Sequence, residues 1–302
     1  MALKLQGIMS ALHTNYDGDG EVTDAGLEEQ LSFLIDAGCT GLFVGGSTGE
    51  GVLQTVQERT WYTEAVVRTV SGRVPVIAHV GAAATRDACE LARRAARIGA
   101  DAVGSVMPIY FQVGTDAAVE YYRAISAATD LPVLIYYLQS ASAEGLNAEV
   151  FAEKLAAIPH VFALKYTSPE LETFGRIAQL CGDRVCMIMG CDQVLLPALT
   201  MGACGAIGTS YNYMPEIAAG IYRHYAAGEL AEARRLMDRM FRIIHVVKRV
   251  CPPGPAPSRE IMRMRGMETG RCRPPLPSPS PQQAAALRRE LDAMGFFDNP
   301  TG

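Results

Sequence analysis

The sequence predicts an α/β fold, a (β/α)8 TIM barrel with a C-terminal helical appendage, and three observations point there. Short runs rich in Val and Ile alternate with longer amphipathic stretches from the start to about residue 210. The runs number eight, and each is apolar on successive residues, as strands covered on both faces must be. Beyond residue 215 such runs stop and helical periodicity takes over. A chain of 302 residues accommodates either two average domains or one barrel with an extension. The regular alternation selects the barrel at 1–215, with a helical extension packed on it at 216–302.

The predicted strands are Gly7–Leu12, Gly41–Val44, Val74–Ala78, Ala102–Val106, Val133–Tyr136, Val161–Lys165, Val185–Met189 and Gly205–Ile207. Between them lie helix patterns such as Asp24–Ala37, Thr85–Ile98 and Asp116–Ala128. Asp or Thr stands at their starts as a candidate cap, and Gly or another turn residue follows their ends. The extension reads as helices Ala218–Tyr225, Leu230–Val250 and Gln282–Met294. The last two are separated by the Pro-rich runs CPPGPAPS and RPPLPSPSP, with Arg263 to Met267 between those runs still helical. Polyproline segments offered to a partner domain are the alternative reading of the same runs.

Composition narrows the function classes. Hydrophobic residues make up 49% and charged residues 20% of the chain, enough to bury a large core and too little charge for a disordered one. A formal net charge of −5 with no Lys/Arg run argues against nucleic acid or an anionic membrane as partner, so an anionic substrate needs a local positive pocket. Without a signal-like start or a run of apolar residues long enough to span a bilayer, the expected location is the cytoplasm. Eight cysteines without a CxxC pair read as reduced, mostly buried thiols rather than a zinc or disulfide framework.

In a barrel the working residues sit at the C-terminal ends of the strands, because only those loops converge on one cavity. That rule selects Gly45 to Gly51 after the second strand, Tyr110 after the fourth, and Tyr136-Tyr137 at the end of the fifth. Lys165-Tyr166-Thr167 closes the sixth, Gly190 to Gln193 follows the seventh, and Gly208-Thr209-Ser210 follows the eighth. Lys165, at the end of the apolar run 161–164, would point into an interior where an ammonium is costly. Burial favours the uncharged, nucleophilic amine. The competing reading is a lysine that bends out of the strand end to solvent.

Ser47 and Thr48, flanked by glycines at a strand-to-helix turn, can aim two hydroxyls and several N–H groups at one carboxylate. The segment lacks the Lys of a nucleotide P-loop and does not match GxGxxG, and a plain tight turn is the alternative. Tyr136, Ser47 and Tyr110 are candidates for a hydroxyl relay, although aromatics at strand ends often only pack. Asn15 to Gly20 imitates an EF-hand opening, but the twelfth position is Gly26, so it reads as a polar loop. His79 reads as a satisfied core histidine.

GLFVGGSTGE (Gly41–Glu50), IAHVG (Ile77–Gly81), the Pro108-to-Tyr110 element, ALKYTS (Ala163–Ser168), GCDQ (Gly190–Gln193) and IGTSYN (Ile207–Asn212) together resemble the N-acetylneuraminate lyase and dihydrodipicolinate synthase superfamily, and most closely its lyase branch. The resemblance covers most of the chain. It implies a Schiff base on Lys165, a substrate carboxylate held by Ser47 with Thr48, and Tyr136 as proton carrier. It also implies that Tyr110 reaches into a neighbouring subunit, which makes a dimer the minimum active unit and a homotetramer, a dimer of dimers, the expected assembly. Thr167, Gly190, Asp192, Gln193 and Thr209 match positions that contact the sugar-like tail.

The chain departs from the family pattern in places. Counting back from Lys165 selects Tyr137 as the catalytic tyrosine, whereas counting forward from Leu131-Pro132 selects Tyr136. The second count is preferred, because loops absorb extra residues while a strand slip reverses every face. Nothing from Leu138 to Gly145 is basic, where the synthase branch holds a second carboxylate with Arg. Gln193 stands where the sialic acid lyases carry Glu, and Pro169-Glu170 replaces a common Gly-Asp pair.

The expectation is therefore reversible aldol cleavage of a 4-hydroxy-2-oxo acid to pyruvate and an aldehyde, without metal or organic cofactor. The alternatives are dehydration of a 2-keto-3-deoxy sugar acid, a synthase-like condensation, and a catalytically silent ligand-binding member of the fold.

Overall fold

The structure, a computed structural model, describes residues 3, 5–108, 111, 113–141 and 147–302. Eight strands form in the predicted order: β1 (Gly7–Ala11), β2 (Cys39–Val44), β3 (Val76–His79), β4 (Ala102–Val106), β5 (Val133–Leu138), β6 (Val161–Thr167), β7 (Cys186–Met189) and β8 (Gly205–Gly208). Each pairs in parallel with the next, and β8 returns to β1 to close the barrel. Their ends lie within two residues of the predicted ones.

Alternation along the strands sorts side chains into two layers. Ile8, Leu42, Val76, Ile135, Leu164 and Met187 face outward into the main core beneath the helices. Met9, Phe43, Ile77, Leu134, Ile188 and Ile207 face inward and fill the barrel. Both layers are apolar, which is why the strands read as continuous apolar runs. Each fully buried side chain of this kind contributes about 1.5–3 kcal/mol.

Helices follow the strands: α1 (Leu27–Asp36), α2 (Val56–Val70), α3 (Thr85–Ile98), α4 (Thr115–Ala127), α5 (Ala148–Val150, continuing as a π-helical turn at Phe151–Leu155), α6 (Leu171–Cys181), α7 (Leu195–Thr200) and α8 (Pro215–Ala226). The expected Asp and Thr caps are not where these helices begin. α1, α3 and α4 start after Gly26, Ala84 and Gly114 without a side-chain cap, because Thr85 and Thr115 already lie inside the first turn. Capping boxes occur instead at Thr55–Glu58 of α2 and at Ser280–Gln283 of the last helix.

Three helices follow: α9 (Leu230–Val250), α10 (Ala256–Met264) and α11 (Pro281–Ala293). α9 packs along α8, and α11 packs along α9. α10 corrects the sequence reading, since it begins inside the first Pro-rich run and ends before Met267. Pro at the start of its first turn is tolerated, because the N–H that proline lacks has no intrahelical partner there.

A buried ion pair fixes α10 over the barrel mouth. Arg259 of α10 places Nε and a terminal nitrogen 2.9 and 2.6 Å from Glu50 Oε1, and both side chains are sealed from solvent. Glu50 Oε2 accepts from the Arg273 backbone at 2.8 Å, and Arg259 also donates to the carbonyls of Thr14 and Thr269. Glu50 itself is left-handed at φ 58°, a conformation held by this network.

Candidate active site

The C-terminal ends of the strands open into a cavity of about 650 Å³, within the usual range for a small-molecule site. Ser47, Thr48, Tyr136, Lys165, Thr167, Gly190, Asp192, Gln193 and Thr209, all singled out from the sequence, line it. Tyr110, the remaining predicted residue, lies outside the described residues.

Lys165 is where the alternation of β6 sends it. Leu164 and Tyr166 pack outward, so Lys165 faces the interior. At 5% exposure it does not reach out to bulk solvent. Its Nζ lies 3.9 Å from the centre of the Tyr136 ring and 4.8 Å from that of Phe43, and it makes no ion pair among the described residues. Lys165 and Tyr136 are direct register partners across β5 and β6.

Alternation along β5 also separates the two tyrosines. Tyr136 turns into the cavity, edge-on to Phe43 at 6.0 Å. Tyr137 turns outward and stacks on Tyr166 at 5.2 Å. Of the two counts, the forward one selects the tyrosine that faces the cavity. Tyr136 and Ser47 line the same cavity, and no hydrogen bond joins them among the described residues.

The turn after β2 presents Ser47 openly to the cavity, while Thr48 is buried behind it. Thr48 Oγ1 is 2.6 Å from Thr209 Oγ1, so Thr209 backs this turn. The turn is tight enough that a Cβ on Gly51 would sit 1.9 Å from the Gly45 carbonyl. Behind it, His79 Nε2 accepts from the Val106 N–H at 3.2 Å, which leaves Nδ1 to donate to the Gly45 carbonyl at 3.0 Å. Burial, together with the nearby charges of Arg59 and Lys165, holds His79 well below its usual value and so neutral. His79 is the core histidine expected.

On the opposite side, Asp192 Oδ2 accepts from the Ser210 N–H at 2.9 Å and from its hydroxyl at 2.6 Å. Burial pushes the Asp192 carboxyl up, against the Ser210 hydrogen bonds and the Lys165 charge that pull it down. Gly190 lets this wall approach β6, since a Cβ there would meet Thr167 Oγ1 at 1.9 Å. Thr167 Oγ1 is itself buried with no hydrogen-bond partner among the described residues. Among the described residues no group of three His, Cys, Asp or Glu side chains is placed to hold a metal.

Sequence reasoning missed the far wall. Ile244, Val247, Lys248 and Cys251 from the end of α9, and Pro252 to Pro255, Pro257 and Ser258 from the run into α10, complete the cavity. Ser258 is fixed there by His13 Nε2 at 2.7 Å. These residues are far from the strand ends in the chain. Only the 3.6-residue spacing of Ile244, Val247, Lys248 and Cys251 hints that one helix face carries them.

The sequence model of the dihydrodipicolinate synthetase family matches residues 4–294. The N-acetylneuraminate lyase of Rhizobium meliloti is 34% identical over 290 residues, spanning 96% of this chain and 95% of that protein. The 4-hydroxy-tetrahydrodipicolinate synthase of Methanopyrus kandleri is 30% identical over 298 residues, spanning 98% and 99%. Among solved structures, the sialic acid aldolase of Ruminococcus gnavus superposes with a TM-score of 0.90 at 30% identity, covering 97% of this chain and 99% of that one. Matched along nearly its whole length in sequence and in barrel architecture, the chain belongs to the dihydrodipicolinate synthetase family of aldolase-type enzymes.

Proposed function

We propose that this chain is a class I aldolase that cleaves a 4-hydroxy-2-oxo acid to pyruvate and an aldehyde through an imine on Lys165. The observation that carries the proposal is the buried Lys165 amine lying on the Tyr136 ring, in the cavity that also exposes the Ser47–Thr48 turn. In this reading the turn receives the C1 carboxylate, with Thr209 holding the Thr48 hydroxyl in place.

Lys165 attacks the C2 ketone, and loss of water leaves an iminium. Tyr136 takes the C4 hydroxyl proton as the C3–C4 bond breaks. The bonding pair flows into the iminium to give an enamine, and the aldehyde departs. Protonation at C3 and addition of water at C2 then release pyruvate and restore the amine. No metal or organic cofactor enters these steps. Asp192, Gln193, Thr167 and the Gly190 backbone face the remainder of the substrate.

Dehydration or condensation would share the imine and differ only afterwards, so product analysis separates them. Family resemblance further assigns Tyr110 to a neighbouring subunit's relay and a homotetramer as the working assembly. The direct test is to supply N-acetylneuraminate and a series of shorter 2-keto-3-deoxy acids and to measure pyruvate release. Release from at least one is expected. Consumption without pyruvate, or no turnover across the series, would contradict aldol cleavage.

A further inference from the structure

At the N-terminal end of the barrel, opposite the mouth that holds Lys165, two thiols meet. Cys186 opens β7, and Cys204 stands one residue before β8. The two strands pair from Ile188 and Gly205 onward, and the Cys204 N–H donates to the Met187 carbonyl at 2.8 Å. Strand pairing thus brings the two cysteines side by side. Both side chains pack against the apolar floor inside the barrel, and their thiols hydrogen-bond to each other. Cys186 Sγ also lies 3.1 Å from the Leu5 carbonyl oxygen. A disulfide forms only where two sulfurs come within reach without backbone movement, and hydrogen-bonded thiols meet that condition.

The pair is set apart from the other cysteines. Burial pushes the thiols of Cys39, Cys89, Cys181, Cys191, Cys251 and Cys272 up, which keeps them protonated and poorly reactive. Contact with Cys204 does the same to Cys186. Cys204 moves the other way, because the Cys186 hydrogen bond pulls it down against burial and the Asp183 charge. Both sulfurs are only part-buried, so a small solute can reach them. One sulfur is therefore poised as a nucleophile, and a second thiol touches it.

We propose that Cys204 and Cys186 form a redox site that a small peroxide converts to a disulfide, with Cys204 as the attacking sulfur and Cys186 as the resolving thiol. The Cys204 sulfur attacks one oxygen of hydrogen peroxide. An S–O bond forms as the O–O bond breaks, and the departing hydroxide takes up a proton as water. The Cys186 sulfur then attacks the Cys204 sulfenic acid, the S–S bond closes, and a second water leaves. Two thiols lose two electrons and two protons, and the peroxide becomes two waters. The bond closes a ring that contains Gly190 to Gln193 and α7. The site is independent of the reaction proposed at Lys165.

Peptide mapping of the full chain tests this. The reduced protein would be treated with one equivalent of hydrogen peroxide under native conditions, its remaining thiols alkylated, and the chain cleaved before aspartates. Cleavage before Asp192 separates Cys186 from Cys204, so a bond between them joins two peptides, and fragmentation distinguishes Cys186 from Cys191. The expected result is a Cys186–Cys204 bond that dithiothreitol removes. In the untreated protein near pH 7, iodoacetamide should modify Cys204 about ten times faster than Cys186. Cys186→Ser should leave a Cys204 sulfenic acid that dimedone captures, and Cys204→Ser should leave no dimedone adduct on Cys186. A native protein that forms no Cys186–Cys204 bond, or that pairs other cysteines to the same extent, would overturn the proposal. Dimedone capture at Cys186 in Cys204→Ser would overturn the assignment of the two roles.

Discussion

Tyr136 and Tyr137 differ by one position in the chain and by the whole thickness of the sheet in space. Period-two alternation forces this, and it makes the assignment of the proton carrier testable residue by residue. Tyr136→Phe is expected to lower kcat by about 10²–10⁴, the usual worth of a positioned acid–base group. Tyr137→Phe, whose ring stacks outside the barrel, should cost about 1 kcal/mol of stability at most and leave the trapped imine intact. Steady-state kinetics and urea unfolding on both variants separate the two, and the reverse pattern would favour the count back from Lys165. Asp192 poses a different case, since burial raises its pKa and its ionised form is therefore held at a cost to folding. Asp192→Asn should stay within about 1 kcal/mol of the parent stability, because an amide oxygen still accepts from Ser210. Its kcat/KM should fall about 10–100-fold if the carboxylate contacts the substrate.

At the scale of elements, the strands were legible because a covered strand must be apolar on both faces, and Lys165 stood out as the charge that breaks such a run. The turn at Ser47–Thr48 was legible for its glycines. The caps were not, because Asp is favoured in a first turn as well as before it, and Thr85 and Thr115 open their helices from inside the first turn. α10 was not, because proline signals a break in sequence while its position at the start of a helix is permitted by geometry. Glu50 was read only as part of a motif. Its partner Arg259 is 209 residues away, beyond any local pattern. Glu50→Gln removes the charge and leaves a buried guanidinium unpaired, so a loss of about 3–5 kcal/mol is expected in denaturant unfolding. A loss under about 1 kcal/mol would mean that α10 is held by its apolar contacts instead.

For the whole molecule, the barrel's contacts at the two sides of the mouth explain why only half of the site could be read from the chain. The strand-end half follows from alternation and strand order. The half from α9 and α10 depends on how the extension lies across the mouth, which no local signal encodes. The same architecture buries His13 and His79, both held well below their usual value by burial and neighbouring positive charge. A group depressed on folding binds its proton only in the unfolded chain. Stability should therefore be full above about pH 6.5 and fall below it, by about 1.4 kcal/mol per pH unit for each histidine. Urea midpoints between about pH 6.5 and 5 should show this slope, and His13→Leu should reduce it by about half. A flat profile would show that neither histidine is neutral in the fold.

With so few lysines in the chain, the most direct test of the central claim is to find which one captures a keto acid. The protein would be treated with pyruvate and borohydride, digested, and the modified peptide sequenced by mass spectrometry. The account predicts a reduced pyruvyl adduct on Lys165, dependent on pyruvate and absent from Lys165→Ala. An unmodified protein, or an adduct carried by Lys248 or another lysine, would contradict it.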